Sequence, residues 1–514
     1  MSKFFNIAGP CIASEHYMIP AGRRCNQLAS LVDQKQYFIL HAPRQTGKTT
    51  LIRDFVRYLN EHTHYLAVYC SLERAQGIVS AAEGIPTIVD ALNYAINYSP
   101  WLEYKDFARA GDARYTGAFQ KGLADFCAAL QKPLVIMFDE VDCLAEETLI
   151  SFLRQLRQGY VEKDTIPFVH SLGLVGMRNI RDFKAEVRSG GTTLGSASPF
   201  NIVSKALSLR NFNEEELSDL YGQHTTETGQ VFDQKVIEMS FKYTRGQPWL
   251  CNALAREMVM ELLDGDYTRK ITPDLVEQAV ENIILRRDTH IDSLLERLKE
   301  ERVRRVVEPI ISGKKLDLEF DDDAQYVFDL GLLDFRKGDV APANPIYGEV
   351  IMRTLSYHTQ HHLPISMEGK YIKDGLVQMK PLLQDFQQFW RENSEIWMER
   401  YQYKEAAPHL ILQAWLQRIV NGGGRITREY SAGRGRIDLV LTYGKHRYPV
   451  ELKIRYSDKT REQGIVQLSG YLKSLGLTTG WLIIFDRDPN SDWDKKVTWE
   501  DIRLDNLQLH IVGC

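Results

Sequence analysis

Residues 36–50 read QYFILHAPRQTGKTT, and this stretch decides the fold. Its apolar beginning, QYFILH, predicts a short buried strand, and the pattern TTLIRDFVRYLNE after the loop predicts an amphipathic helix. Apolar runs at residues 64–70 (HYLAVYC), 133–138 (PLVIMF) and 168–177 (FVHSLGLVGM) predict further strands. Short apolar strands that alternate with helices indicate a parallel sheet covered on both faces. We therefore predict an α/β fold for the first part of the chain.

The loop between this strand and helix has the spacing GxxxxGK[ST], with Ala42 in the first position. Backbone N–H groups at a strand-to-helix junction, together with the helix N-terminus, bind phosphate. The spacing assigns Lys48 to the β and γ phosphates of ATP and the Thr49 hydroxyl to Mg²⁺. The residues that we expect to contact the nucleotide here are Ala42, Pro43, Arg44, Gln45, Thr46, Gly47, Lys48, Thr49 and Thr50.

The second half of the predicted site is an acidic pair at the end of the apolar run 134–138. Ligands of open α/β sheets bind at the C-terminal ends of the strands, where Asp139 and Glu140 lie. We expect Asp139 to hold Mg²⁺ through water or Thr49, and Glu140 to orient and polarise the attacking water. The alternative is a chance Gly-Lys-Thr turn beside an acidic strand end. Both halves occur in the right order and local context, which favours the nucleotide site.

Five segments carry a family resemblance: HYMIP (16–20), HAPRQTGKTT (41–50), IMFDEVD (136–142), GMRNIRD (176–182) and RGQPWL (245–250). On these segments the chain resembles AAA-type and STAND-type prokaryotic ATPases, specifically proteins with an AAA-like domain, over about residues 10–355. The resemblance implies a polar sensor at Arg178 or Asn179. It also implies a Gly246-Gln247-Pro248 turn in a helical lid, with Pro248 near the nucleotide. A solvated arginine at a helix start is the alternative for Arg178.

A different pattern occurs near the C-terminus, where residues 433–454 read GRGRIDLVLTYGKHRYPVELKI and predict a β-hairpin. Glu451 and Lys453 are two residues apart, so they share one face of a strand. The hairpin would bring Asp438 beside Glu451. Two carboxylates on adjacent strands form a hard oxygen site that suits Mg²⁺ or Mn²⁺. Lys453 would then orient the attacking water or stabilise charge at a phosphate.

This D…ExK arrangement resembles PD-(D/E)XK nucleases. The helix that carries Gln467 and Tyr471 resembles the QxxxY element of RecB-like members, which implies that both side chains face the metal or DNA. Residues 476–485 (GLTTGWLIIF) predict the next buried strand. The helix before the hairpin departs from the family, since it carries Gln413 where many members offer a glutamate, and Glu405 lies just before it. The alternative reading is a half-exposed hairpin without catalysis.

Basic residues crowd the same region and predict contacts with nucleic acid phosphates, most simply those of DNA, without sequence readout. A solvated charged surface is the alternative. The net charge of -5 argues against coating nucleic acid by bulk charge, but it does not exclude a local basic groove. The basic residues are Arg425, Arg428, Arg434, Arg436, Lys445, His446, Arg447, Arg455, Lys459 and Arg461.

Composition limits the location and chemistry of the chain. Its seven cysteines are irregularly spaced and form no CxxC pair, which disfavours a disulfide framework or a zinc ribbon and fits reduced thiols in the cytoplasm. The N-terminus lacks the features of a signal peptide, and no apolar run approaches the roughly 20 residues of a membrane helix. The HxxHH motif at residues 358–362 lies in a polar segment and does not indicate zinc.

We therefore predict an α/β P-loop NTPase parallel sheet with a helical lid and a winged-helix-like unit, followed by an α/β PD-(D/E)XK nuclease fold. The predicted function is ATP-regulated, Mg²⁺-dependent cleavage of DNA, by analogy in defence against foreign DNA or in repair. The rivals are a signalling or scaffold ATPase that binds DNA without cutting and a nucleotide switch with slow hydrolysis. The predicted partners are DNA and, in a homo-oligomer, further copies of the same chain. The predicted segments are the ATPase core (1–210), the lid and winged-helix-like region (211–356), a linker with a helical lead-in (357–400) and the nuclease-like domain (401–514).

Overall fold

A computed structural model gives the architecture of the chain. It describes residues 3–102, 115–177, 202–286, 289–311, 322–336, 339–362, 371–400, 408, 411–413, 415–416, 424–432, 435–455, 459–486 and 491–514. The chain divides into two compact units, and each is described by itself. The first unit consists of Met1–Leu294 and Leu318–Tyr347, and the second of Leu295–Asp317 and Gly348–Cys514.

A five-stranded parallel sheet forms the centre of the first unit, with the strand order β2-β3-β4-β1-β5. All residues of β3 and β4 are buried, as expected for parallel strands covered on both faces. The predicted strands and their parallel arrangement are confirmed. The strands are β1 (Tyr37–His41), β2 (Leu66–Ser71), β3 (Leu134–Asp139), β4 (Ser171–Gly176) and β5 (Val203–Ser208).

Helices cover both faces of this sheet. On one face, Ile136 and Phe138 of β3 pack against α3, α4 and α5. On the other face, Val135 and Met137 pack against α1 and α2, so successive residues of β3 alternate between two cores. The helices are α1 (Leu28–Asp33), α2 (Lys48–His62), α3 (Ala81–Asn97), α4 (Tyr115–Ala129) and α5 (Glu146–Glu162).

The segment after β5 is helical, as predicted, and we call its helices α6 to α9 the lid. Asn213 caps α6: its side chain accepts from Glu216 N, and the Glu216 side chain accepts from Asn213 N. These two reciprocal hydrogen bonds form a capping box, which fixes the start of the helix. A π-helical turn, Glu257–Leu262, extends α8. The lid helices are α6 (Glu214–Thr228), α7 (Gln234–Thr244), α8 (Pro248–Arg256) and α9 (Pro273–Arg286).

Three helices, a β-hairpin and a long helix come next, and their winged-helix-like association stays a prediction. The division between the two units passes through this stretch. The long helix continues to His362, so residues 357–362 are helical and not part of a linker. The elements are α10 (Thr289–Arg297), α11 (Glu301–Ile311), α12 (Asp322–Asp329), β6 (Leu333–Arg336), β7 (Asp339–Pro342) and α13 (Pro345–His362).

The second unit contains a six-stranded mixed sheet with the order β10-β11-β12-β13-β15-β14. Strands β10 to β12 are antiparallel, and α15 connects β12 to its parallel neighbour β13. A small hairpin precedes the helix of the predicted helical lead-in, and this helix begins at Met379. The elements are β8 (Ile372–Lys373), β9 (Leu376–Val377), α14 (Met379–Arg400), β10 (Gly424–Ala432), β11 (Gly435–Tyr443), β12 (His446–Ile454), α15 (Lys459–Leu475), β13 (Thr479–Phe485), α16 (Trp493–Lys496), β14 (Thr498–Leu504) and β15 (Leu507–Gly513).

None of the helices in the described ranges combines the length and the apolar character that crossing a bilayer requires.

Candidate functional site

Side chains of the loop between β1 and α2 donate hydrogen bonds to carbonyl groups of the same loop. Gln45 and Gly47 have φ angles of 57° and 89°, and Gly47 precedes the first turn of α2. Lys48 Nζ donates to Ala42 O (2.7 Å) and Pro43 O (2.9 Å), so the lysine spans the loop from inside. Burial lowers the pKa of Lys48 to about 8, although the Asp142 and Asp139 carboxylates oppose this shift.

Thr49 and Asp139 meet at the start of α2 and the end of β3. Thr49 Oγ1 donates to Asp139 Oδ2 at 2.7 Å, and the side chain of Asp139 is almost fully buried. Tyr69 on the neighbouring strand β2 also donates to Asp139 Oδ2, at 3.2 Å. The second oxygen, Oδ1, accepts from Glu140 N at 3.0 Å. The carboxylate is therefore fixed on both oxygens before any ligand is considered.

Glu140 follows directly and has a left-handed backbone, with φ of 60°. This conformation is unfavourable for an L-residue and turns the side chain away from the direction that β3 would give it. Glu140 Oε2 accepts from Ser71 Oγ at 2.9 Å. Burial raises the pKa of Glu140, the Ser71 hydrogen bond opposes this rise, and nearby acids, Glu73 first, add to it. A carboxylate with a raised pKa is a better proton acceptor.

These groups fit a magnesium nucleotide. A threonine hydroxyl and a buried carboxylate are adjacent, and Mg²⁺ prefers such oxygen ligands. The backbone amides of the loop begin the helix α2, where an anion is favoured. The sequence analysis predicted that four residues meet at one end of the sheet. The structure places all four there: Lys48, Thr49, Asp139 and Glu140.

Other predicted nucleotide contacts are positioned differently. The Thr50 hydroxyl accepts from Cys11 N at 3.1 Å, so it serves the N-terminal segment. Pro248 is buried at the first position of α8, and its neighbour Gln247 reaches the loop, with Nε2 3.4 Å from Gln45 O. Arg44 is exposed, and its Nε lies 3.3 Å from Met177 Sδ. Arg178 and Asn179 lie outside the described residues.

Sequence reasoning missed three polar residues of this site. Tyr69 and Ser71 lie on β2, and the sheet order that brings β2 beside β3 cannot be read from the sequence. Tyr69 and Ser71 are two residues apart near the C-terminal end of a strand, so their side chains share one face of the sheet. That spacing was the signal that the sequence offered. Asp142, in the IMFDEVD segment, accepts from Met177 N at 3.2 Å. It also lies close enough to Lys48 for its charge to oppose the lowering of the lysine pKa by burial.

In the second unit, β11 and β12 bring the predicted cluster together. Lys453 Nζ donates to Glu451 Oε1 at 2.8 Å, and Asp438 Oδ2 accepts from Leu452 N at 2.8 Å. Glu451 is 2% exposed, and its Oε2 has no hydrogen-bond partner among the described residues. Burial and the Asp438 charge raise the pKa of Glu451 to about 7, while Lys453 opposes them. Burial alone would lower the pKa of Lys453, but Glu451 and Asp438 raise it.

The surroundings of this cluster match the prediction only partly. Tyr471 is half-buried on α15 and interacts electrostatically with Lys453, whereas Gln467 is exposed. Gln413 is buried. Within the described ranges, no group of three or more His, Cys, Asp or Glu side chains is arranged to hold a metal ion.

The predicted basic surface is also partly neutralised. Arg455 pairs with Asp486 at 3.1 Å, and Arg461 makes two contacts with Glu500, at 2.7 and 2.8 Å. Lys445, His446 and Arg447 are exposed at and just after the β11–β12 turn, as is Lys459 at the start of α15. Three further basic side chains are not among those that the structure describes: Arg428, Arg434 and Arg436.

The sheet, the loop and the acidic strand end define a P-loop nucleotide-binding protein of the ATPase class. A family model for the AAA-like domain matches residues 13–352, which is more than half of the chain. The chain therefore belongs to the AAA-like domain family, and ATP binding is the function of its first part. A second family model, for a domain of unknown function (DUF8371), matches residues 380–488.

The solved structures that match this chain are distant from it. The Walker-type ATPase PABY2304 of Pyrococcus abyssi is 13% identical, with a TM-score of 0.46, 68% of this chain covered and 99% of that chain covered. Cdc6p from Pyrobaculum aerophilum is 12% identical, with a TM-score of 0.36 and coverage of 65% and 94%. The RuvB Holliday junction branch migration motor of Thermotoga maritima is 15% identical, with a TM-score of 0.32 and coverage of 67% and 94%. No curated protein matches the sequence.

Proposed function

We propose that the chain hydrolyses ATP with Mg²⁺ at the loop that ends in Thr49, and that ATP controls Mg²⁺-dependent DNA cleavage by the C-terminal unit. The observation that carries the ATPase part is the contact between Thr49 and Asp139, with Glu140 beside it. A loop that only bound an anion would not need a buried carboxylate next to the threonine hydroxyl.

Each residue of the nucleotide site has a separate role in this proposal. Lys48 binds the β and γ phosphates, since its ammonium is buried within the loop. Thr49 and Asp139 hold Mg²⁺, which neutralises phosphate charge when bound. Glu140 orients and polarises the attacking water, and its raised pKa suits proton acceptance. Ser71 keeps the Glu140 carboxylate in place.

Two substitutions test the ATPase part. Lys48→Ala removes the charge that meets the phosphates, so ATP affinity should fall by a large factor in a binding titration. Glu140→Gln keeps size and hydrogen bonding, so ATP should stay bound while phosphate release slows by on the order of a hundredfold. Lys132→Ala, at an exposed lysine before β3, is the matched control. Unchanged ATP affinity in Lys48→Ala would refute the assignment of the phosphate site.

The nuclease part depends on the unpartnered oxygen of Glu451. A buried carboxylate oxygen without a donor is costly unless a cation satisfies it. Asp438 lies on the next strand and adds a second carboxylate, so both would hold Mg²⁺ or Mn²⁺. Lys453 would stabilise charge at the scissile phosphate. The three antiparallel strands, the connecting helix and the parallel strand β13 support a PD-(D/E)XK-like fold.

A second candidate is a C-terminal unit that binds nucleic acid without cutting it. Two observations favour it: Lys453 already neutralises Glu451, and a glutamine, Gln413, stands where many PD-(D/E)XK nucleases have an acid. In either case we place the activity in defence against foreign DNA or in repair, inside the cytoplasm, with DNA as the partner.

A matched set of variants separates the two candidates. Asp438→Ala and Glu451→Ala should abolish Mg²⁺-dependent cleavage, whereas Lys453→Ala should slow it and leave metal binding largely intact. DNA binding and ATP hydrolysis should survive in all three. Glu462→Ala, at an exposed glutamate of α15, is the control. If the wild type cuts neither single- nor double-stranded DNA with Mg²⁺ or Mn²⁺, with or without ATP, the binding candidate stands.

A further inference from the structure

Arg24 is a buried arginine that contacts both the phosphate loop and the start of the lid. A short 3-10 turn, Ala21–Arg24, turns Arg23 outward and Arg24 inward. Arg24 Nη1 donates to Thr46 O and to Arg210 O, each at 2.9 Å. One nitrogen therefore joins the loop before α2 to the segment between β5 and α6.

The contact with Thr46 fixes one peptide group of the loop. In a planar trans peptide, the carbonyl of Thr46 and the N–H of Gly47 point in opposite directions. By holding Thr46 O, Arg24 directs the Gly47 N–H to the other side of the loop. The position is tight as well, because a Cβ added to Gly47 would lie 3.0 Å from Arg24 Nη2. Gly47 has a φ of 89°, a left-handed conformation that glycine adopts without steric cost.

The lid side of the contact is equally defined. The guanidinium of Arg24 lies over the ring of Phe212, 4.9 Å from its centroid. Phe212 N donates to Gly246 O at 2.8 Å, and Gly246 precedes Gln247, whose side chain caps α8. A movement of the lid at this turn would therefore change the position of Phe212 and the support of Arg24.

Keeping a positive charge at this place costs free energy. Arg24 is 8% exposed, and burial lowers its pKa to about 10, with partial compensation from the Glu216 carboxylate. Its Nε has no hydrogen-bond partner among the described residues. An apolar side chain of similar volume would avoid these costs if packing were its only role. The two carbonyl contacts are what the guanidinium adds.

We propose that Arg24 is a positioning residue that couples the phosphate loop to the lid, so that ATP binding at the loop changes the stability of the lid. The proposal rests on the proposed ATP site. It assigns Arg24 no contact with the nucleotide. Instead, Arg24 fixes the Thr46 carbonyl and the Arg210 carbonyl relative to each other.

The test uses the full chain with two substitutions, Arg24→Met and Arg24→Lys. Methionine keeps the apolar stem and removes all donors, whereas lysine keeps the charge but lacks the planar fork of arginine. Arg23→Met is the matched control, because Arg23 is exposed and its ion pair with Asp219 of α6 lies at the surface. ATP affinity is measured by titration. Hydrogen exchange of peptides that cover residues 209–216 and 243–250 is measured with and without ATP.

We expect Arg24→Met to weaken ATP binding about tenfold or more, which corresponds to about 1.4 kcal/mol. The ATP-induced protection of the two lid peptides should disappear, whereas Arg23→Met should match the wild type. Arg24→Lys should fall between them. A merely structural role would lower stability but leave the ATP-induced protection unchanged.

Three results would overturn the proposal. The first is wild-type affinity and lid protection in Arg24→Met or, if that variant does not fold, in Arg24→Lys. The second is weakened affinity with the full ATP-induced protection retained. The third is a wild-type chain that binds no ATP, which would refute the ATP site together with this role. The first two leave the ATP site standing.

Discussion

Replacing Gly246 with alanine should destabilise the lid by about 2–3 kcal/mol. Gly246 has a φ of 71°, and a left-handed backbone costs an alanine about 1–2 kcal/mol. An added Cβ would lie 1.9 Å from Phe212 O, so the two segments must separate. That separation breaks the 2.8 Å bond from Phe212 N to Gly246 O, which contributes about 1 kcal/mol. The sum of the two terms gives the predicted loss.

The loss can be measured locally by native-state hydrogen exchange of α6 and α8 in the full chain, which reports the free energy of opening these helices. Gly222→Ala is the control. Gly222 lies inside α6 and has no positive φ, and an added Cβ would meet no heavy atom within 4 Å apart from the neighbouring backbone of its own helix. Alanine should stabilise that helix by up to about 1 kcal/mol, because it is the better helix former.

The comparison of the two glycines has a clear refuting result. If Gly246→Ala leaves the opening free energy within about 0.5 kcal/mol of the wild type, the turn does not constrain the lid as described. We also expect Gly246→Ala to weaken ATP binding, because Phe212 supports Arg24.

Three further predictions concern single groups. Ser71→Ala removes the hydrogen bond that lowers the pKa of Glu140, so the acidic limb of the ATPase pH profile should move to higher pH while ATP affinity stays unchanged. Tyr69→Phe removes a donor to Asp139 and should raise the Mg²⁺ concentration needed for half-maximal ATPase activity by about tenfold; an unchanged Mg²⁺ titration would contradict it. The pKa of Glu451 rises on folding from 4.5 to about 7, so the folded state binds more protons in that window and stability should fall as pH rises through it. Thermal unfolding of Glu451→Gln from pH 4.5 to 8 should lack this slope, and an identical slope in the variant would refute the shift.

The sequence predicted the nucleotide site because its parts are local. A strand, a loop of fixed spacing and a helix follow one another over residues 36–61, so their geometry needs no knowledge of distant contacts. Arg24 and Ser71 could not be predicted in the same way. Arg24 meets Arg210 only because β5 pairs with β1, and Ser71 meets Glu140 only because β2 pairs with β3. Those pairings depend on the order of strands in the sheet.

The same distinction explains where the structure departs from the local pattern. Thr50 follows Thr49, but the side chains of successive helix residues point about 100° apart, and the Thr50 hydroxyl meets Cys11. The polar segment after residue 356 has the composition of a linker, yet the helix that begins at Pro345 continues to His362. In the second unit, the β-hairpin was predictable from the period of two and the Gly444 turn. The pairing of Arg455 with Asp486 and of Arg461 with Glu500 was not predictable, because these acids lie on distant parts of the chain.

The contacts of Lys48 within the loop make nucleotide binding an exchange of partners. The ammonium group leaves two carbonyl oxygens, Ala42 O and Pro43 O, before it can meet a phosphate. That cost is the same for every nucleotide that recruits the lysine, so it lowers the affinity for ATP and ADP alike. Discrimination between the two must then come from groups that sense the terminal phosphate itself. In the proposed site Lys48 is itself one of those groups, because we assign it to both the β and the γ phosphate.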